Sequence, residues 1–384
     1  MESTGETPVV HGIKAQNCAR RLHFWLTGPI AAFGRSGVQS ESEGVNAFPL
    51  PIRGRTRAAR PAFGLRNNEG TAGLVVMAKG KLAAKLGLAG IALALGACGL
   101  SAFEPADGPF ARLGPPDAPV KLYYREEGSG PPLLFIHGFG ASMFTWRRVA
   151  PDLARTNRVI LVDLKGFGQS DKPFDERYSV YDQAELLAQL IEEKDLRDLT
   201  LVGHSFGGGI ALLLALEANS RLQGRIVRLV LLDSIAYPQN IPVFFRMLDV
   251  PVVSQLGIRM VPPSVQTRVA LRIAYFDDTK ITSEEIEAYA APLKTAAGKH
   301  AIIHSARQIV PEDIETLSER YKTIELPTLI MWCDHDRIVP LEVGLKLRRT
   351  LPNSTLKLVE DCGHMPQEEQ PDRTLELLRS FLSG

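Results

Sequence analysis

The sequence predicts an α/β domain: a mostly parallel, doubly wound sheet, with a block of helices inserted ahead of the penultimate strand. Short apolar runs at 133–136, 159–162, 199–202, 229–232 and 329–332 read as strands covered on both faces. Amphipathic segments separate the runs, as where Val180, Ala184, Leu187 and Ile191 recur at helical spacing. Strand and helix alternating in this way imply right-handed crossovers, which place ligands at the carboxyl ends of the strands.

In chain order, the first segment is basic. The first 97 of 384 residues hold 12 Lys and Arg against 5 Asp and Glu, and the remaining 287 hold 32 against 38. An acidic body of this kind has no electrostatic footprint for nucleic acid. Residues 1–76 show neither helical nor strand periodicity and are expected to be a start-site artefact or a disordered leader, with Met77 the true start. From Met77, lysines at 79, 81 and 85 precede an apolar run that ends Leu95-Gly96-Ala97-Cys98. This is the pattern of a secretory signal, too short to span a bilayer. Residues 99–118 are expected to be a linker.

The domain is then expected over 119–384. A strand-like segment at 120–124 precedes the apolar runs, and 355–359 forms the last strand. Leu375, Leu378 and Leu382 mark a C-terminal helix behind Pro371, a favourable first-turn residue. From about 234 to 322 the alternation stops, and Pro238, Pro242, Pro251, Pro262, Pro263 and Pro311 punctuate helical pieces such as 283–289. This stretch is expected to be a helical lid over the strand ends, its greasy first half at 241–248 packing on the core or lining an apolar pocket.

Chemistry enters at Gly203-His204-Ser205-Phe206-Gly207, between the run 199–202 and an apolar helix. A serine between glycines at a strand-to-helix junction is the form of a nucleophile elbow. A turn this tight strains the serine backbone and leaves no room for flanking Cβ atoms. Three fixed positions are too few to carry the assignment alone. Downstream, Trp332-Cys333-Asp334-His335-Asp336 follows a strand and offers a carboxylate to orient an imidazole: Asp336 first, Asp334 a weaker choice. Asp233, one strand earlier, is the competing acid. Asp361-Cys362-Gly363-His364 follows the last strand and places His364 as the base. Upstream, His137-Gly138-Phe139-Gly140 directly follows the run 133–136.

Taken together, these ordered motifs over about 119–382 resemble the α/β-hydrolase fold superfamily, specifically its lid-bearing, esterase-like branch. The resemblance implies that the backbone N–H groups of Phe139 and Phe206 form an oxyanion hole, and that Asp163–Ser170 is a structural turn after a strand. Relatives that are epoxide hydrolases or haloalkane dehalogenases carry Asp in the elbow, and Ser205 departs from them. Carbon–carbon bond hydrolases usually show Asn before the serine and Asn soon after the oxyanion-loop Trp, where this chain has His204 and, after Trp146, Arg147 and Arg148. The implied activity is hydrolysis of a fairly hydrophobic carboxylic ester by Ser205, His364 and Asp336, with no metal or organic cofactor. A carbon–carbon bond hydrolase and a non-catalytic ligand-binding member are the alternatives.

Leu95–Cys98 also resembles a bacterial lipobox, which implies lipidation of Cys98 and an extracytoplasmic protein anchored to a membrane; a plain secreted or periplasmic protein is the alternative. Cys333 and Cys362 follow strands expected to be neighbours, so they form either a disulfide or two buried thiols. Oligomeric state is not written in the sequence.

Overall fold

The computed structural model describes residues 109–238 and 257–384, all within the compact unit that runs from Ala94 to Gly384. The expected leader (1–76), the signal segment with Cys98, and the greasy stretch 241–248 lie outside the described residues.

Eight strands form one sheet: β1 (Phe110–Leu113), β2 (Val120–Glu127), β3 (Pro132–Ile136), β4 (Arg158–Val162), β5 (Leu199–His204), β6 (Ile226–Leu232), β7 (Thr328–Cys333) and β8 (Ser354–Val359). Their order is β1-β2-β4-β3-β5-β6-β7-β8. Only the β1–β2 and β2–β4 pairs are antiparallel; from β4 through β8 every pair is parallel. The chain therefore winds outward in two directions from β3, so the carboxyl ends of β3 and β5 lie side by side.

Alternation along each strand divides the core. Leu134, Ile136, Ile160, Val162, Leu229 and Leu231 face one helical layer, and Leu133, Phe135, Val159, Leu161, Val230 and Leu232 face the other. A Ser179–Asp182 capping box starts the helix Val180–Glu193, satisfying two end donors at once. The helix Phe206–Leu216 lies deep in the molecule, with Phe206 through Ala215 all buried, so it has no polar face.

One boundary needs correction. The expected linker 99–118 contains β1, which pairs with β2. Its residues alternate exposed and buried, with Ala111 and Leu113 in the core; four residues at the sheet edge carry too short a pattern to read alone. Between β6 and β7 lie the helices Pro263–Ala274, Ser283–Ala290, Ala296–Arg307 and Ile314–Glu319. Three of them start at a side chain or a proline: Pro263 at a first turn, Thr282 in a capping box with Glu285, and Thr295 accepting from Gly298 N–H.

Candidate active site

Ser205 sits between β5 and the helix Phe206–Leu216 with φ 53° and ψ −116°, a conformation that costs a non-glycine residue about 1–3 kcal/mol. Hydrogen bonds hold it there. Its N–H donates to Leu232 O at 2.9 Å, and its carbonyl accepts from Gly208 N–H at 3.0 Å and Ile235 N–H at 3.2 Å. The glycines are required by close approach: a Cβ at 203 would lie 2.5 Å from Gly207 O, and one at 207 would lie 2.2 Å from Ile136 O. The loop after β3 packs on the serine as well, since a Cβ on Gly138 would stand 3.2 Å from Ser205 Cβ. Phe139 in that loop and Ser205 border one cavity, and Phe206 opens the helix whose N-terminal dipole favours negative charge.

His364 Nδ1 and Asp336 Oδ2 are 2.7 Å apart, with both side chains buried. The other Asp336 oxygen accepts from Ile338 N–H at 2.7 Å and Val339 N–H at 2.9 Å. Those two bonds fix the carboxylate before it meets the imidazole. His364 is fixed by its own backbone: its N–H donates to Ala274 O at 2.6 Å, and its carbonyl pairs with His204 Nε2 at 2.7 Å. Gly363 permits this contact, because a Cβ there would fall 2.2 Å from Ala274 O. Asp334 is occupied elsewhere, with His335 Nδ1 at 2.7 Å and the N–H groups of Asp361 and Cys362.

Asp233, after β6, is fully buried. Its Oδ1 accepts from Cys333 N–H at 2.8 Å, while Oδ2 receives no donor. Burial, and then the neighbouring Asp336 carboxylate, push its carboxyl well above the usual range. A protonated Oδ2 resolves the accounting, since it donates to Asp336 instead of needing a donor. His204 is held well below the usual imidazole range by burial and then by His364, so it stays neutral and its Nε2–H serves the His364 carbonyl. The donor atoms of Asp233, Asp336 and His364 lie within 4.8 Å of one another. This is the one such cluster among the described residues, and the Asp336–His364 hydrogen bond already occupies its inner atoms.

Cys333 and Cys362 form a disulfide, Cα to Cα 4.8 Å. It joins the end of β7, three residues before Asp336, to the loop that carries His364.

No local pattern in the sequence signals the ionic network that ties lid to core through two buried glutamates. Arg147 pairs with Glu368 at 2.6 Å and with Glu285, and Arg148 reaches Glu285 at 3.1 Å. Tyr289 and Thr145 also donate to Glu368. Burial raises the Glu368 carboxyl above its ordinary range although Arg147 opposes the shift. Glu285 belongs to the lid helix Ser283–Ala290 and Glu368 to the short helix Pro366–Glu369 behind His364. Arg147 and Arg148 stood out in the sequence only as departures from asparagine; their acidic partners are about 140 and 220 residues away.

Two apolar cavities meet at Ser205. The larger, about 360 Å³, is bordered by Phe139, His204, His364 and the lid helix Pro263–Ala274. The smaller, about 40 Å³, lies towards Val180, Ile235 and Tyr321. No lysine, arginine, aspartate or glutamate is among the described residues lining either one.

Comparison with known proteins agrees with this fold. The model of the alpha/beta hydrolase family matches residues 133–377. The chain is 29% identical over 275 residues to the 2-hydroxy-6-oxo-2,4-heptadienoate hydrolase of Pseudomonas putida, covering 69% of this chain and 94% of that protein. It is 27% identical over 286 residues to Lipase 1 of Psychrobacter immobilis, covering 68% and 81%. Among solved structures, the meta-cleavage product hydrolase CumD of Pseudomonas fluorescens superposes with a TM-score of 0.60 at 27% identity, covering 72% of this chain and 98% of that one.

Proposed function

The chain belongs to the alpha/beta hydrolase family and is a hydrolase, and from that premise we propose that it cleaves a neutral, apolar carboxylic ester through an acyl-enzyme on Ser205. In this reading Ser205 Oγ attacks the ester carbonyl, and His364 takes its proton and passes it to the departing alcohol. Asp336 holds the imidazole tautomer and stabilises the imidazolium. The N–H groups of Phe139 and Phe206 receive the developing oxyanion, each contributing on the order of 10²–10³ in turnover. Water, deprotonated by His364, then releases the acid.

The observation that carries the ester over the carbon–carbon substrate is the chemistry of the cavity walls. A dienoate brings a carboxylate, and an unpaired carboxylate in an apolar cavity is heavily penalised. The described lining offers it no cation, and the nearby Arg147 and Arg148 are engaged by Glu285 and Glu368. A neutral ester meets no such cost. Parallel assays with chromogenic esters of graded chain length and with a 2-hydroxy-6-oxo-dienoate test the choice. Ester turnover with negligible dienoate cleavage is expected, and the reverse result would overturn the ester reading.

The same proposal places the protein outside the cytoplasm on a lipid anchor at Cys98. The Cys333–Cys362 disulfide supports an oxidising compartment. Expression in a bacterial host should put the protein in the detergent-soluble membrane fraction and Cys98→Ala in the aqueous one. Equal partitioning of the two would count against the anchor.

A further inference from the structure

Which half of an ester enters which cavity follows from where the proton must go. The leaving alcohol oxygen needs the proton carried by His364, so the alcohol arm must lie on the His364 side of the serine. His364 borders the larger cavity and is absent from the described lining of the smaller one. Ile338 borders both, and its N–H is bonded to Asp336, so the partition between them stands on the acid's own loop. Resting on the ester reading, we propose that the small cavity is an acyl subsite for a short chain and the large cavity an alcohol subsite. The preferred substrate is then a short-chain acyl ester of a bulky apolar alcohol.

The volumes set the limits. A cavity of about 40 Å³ has room for about three water-sized groups, taking about 10–15 Å³ for each, which suits an acetyl, propionyl or butyryl chain. The larger cavity, at about 360 Å³, suits a fused-ring or branched alcohol. Val180, Ile235, Ile314, Leu317 and Tyr321 wall the acyl side. Ala270, Leu271 and Ile302 wall the alcohol side.

The reaction balances without a further reactant. The Ser205 Oγ–acyl carbon bond forms as the carbon–oxygen bond to the alcohol breaks, and the serine proton passes through His364 to that alcohol. Water then adds to the acyl carbon and gives a proton to His364. The Oγ–carbon bond breaks, the serine is reprotonated, and the short acid leaves.

The test is a matrix of 2-naphthyl acetate, 2-naphthyl butyrate, 2-naphthyl octanoate and methyl octanoate on the full chain. Each kcat/KM is divided by that ester's hydroxide-catalysed rate. The two short naphthyl esters should exceed both octanoates by at least about tenfold. Ile314→Ala, which enlarges the acyl side, should raise the octanoate-to-acetate ratio of the naphthyl esters several-fold, and Ala270→Trp should depress naphthyl esters while sparing methyl octanoate. Preference for methyl octanoate over naphthyl acetate would overturn the assignment and leave the ester reading standing. An acyl preference unmoved in folded Ile314→Ala would also overturn it. Failure to turn over any ester would remove both.

Discussion

The loops that follow β6 and β7 each bring an aspartate close to His364, and the chain treats the two in opposite ways. Asp336, on the β7 loop, receives two backbone N–H groups on one oxygen and the imidazole on the other. Its negative charge is therefore solvated by the protein before any chemistry begins. Asp233, on the β6 loop, has one backbone donor and a second oxygen with no donor among the described residues. Two carboxylates this close cannot both ionise cheaply in a buried site, so the better solvated one carries the charge and the other keeps its proton. Residue type is the same in both loops, and the count of donors decides the role. A covalent difference adds to this one: the disulfide ties the β7 loop to the His364 loop, and nothing comparable joins the β6 loop to it among the described residues.

The largest expected effect comes from removing the charged member of the pair. Asp336→Asn should lower kcat by about 10⁴ through loss of the imidazole tautomer, measured by steady-state turnover of the best ester. If Asp233 were the working acid, this loss would follow Asp233→Asn instead. Next in size is the tether. Cys333→Ala with Cys362→Ala opens a loop of sequence separation 29, which the chain-entropy relation puts at about 3–4 kcal/mol. The melting temperature should fall by roughly 10 °C, and an unchanged melting temperature would mean that the tether does not stabilise the fold.

A smaller effect, with a definite sign, concerns pH. Asp233 is pushed to hold its proton in the fold and loses it in the unfolded chain above about pH 4, so through this group the folded state binds more protons and its contribution to wild-type stability declines as pH rises from there. Asn has no proton to lose. The unfolding free energy of Asp233→Asn relative to wild type, read from denaturant titrations, should therefore climb between pH 4.5 and 8, by at most roughly 1.4 kcal/mol per pH unit. Glu368 has the same sign of shift but is common to both proteins and cancels. A flat difference would mean that Asp233 is ionised in the fold. Smallest of all should be the change in activity: an amide at 233 can still donate to Asp336, so kcat should stay within about threefold of wild type, and a hundredfold loss would break the contrast.

How much of this is legible in the sequence depends on the range of each signal. Ser205 and Asp336 each follow a continuous apolar strand, and His364 follows the mixed edge strand β8; such strands are written locally, so the three places at the strand ends can be read residue by residue. The preference for Asp336 over Asp233 is only half legible. Both follow a strand, and what separates them is the pair of N–H groups from Ile338 and Val339, a property of the loop's path. The strand Phe110–Leu113 escapes detection because two inward residues at a sheet edge make too short a pattern. Arg147, Glu285 and Glu368 escape for a different reason: each is an ordinary surface residue type, and only the folded chain makes them neighbours. The cysteines lie between these cases, since strand order makes their pairing possible while leaving two thiols equally compatible.

That Ser205 is a nucleophile activated by His364 and Asp336 can be read from the mass of the protein after brief exposure to a fluorophosphonate, followed by peptide mapping. One phosphonyl adduct is expected, on Ser205, absent in Ser205→Ala and formed far more slowly in His364→Ala and Asp336→Asn. A folded wild-type protein that stays unmodified, or an adduct mapped to any other residue, would mean that Ser205 is not the nucleophile.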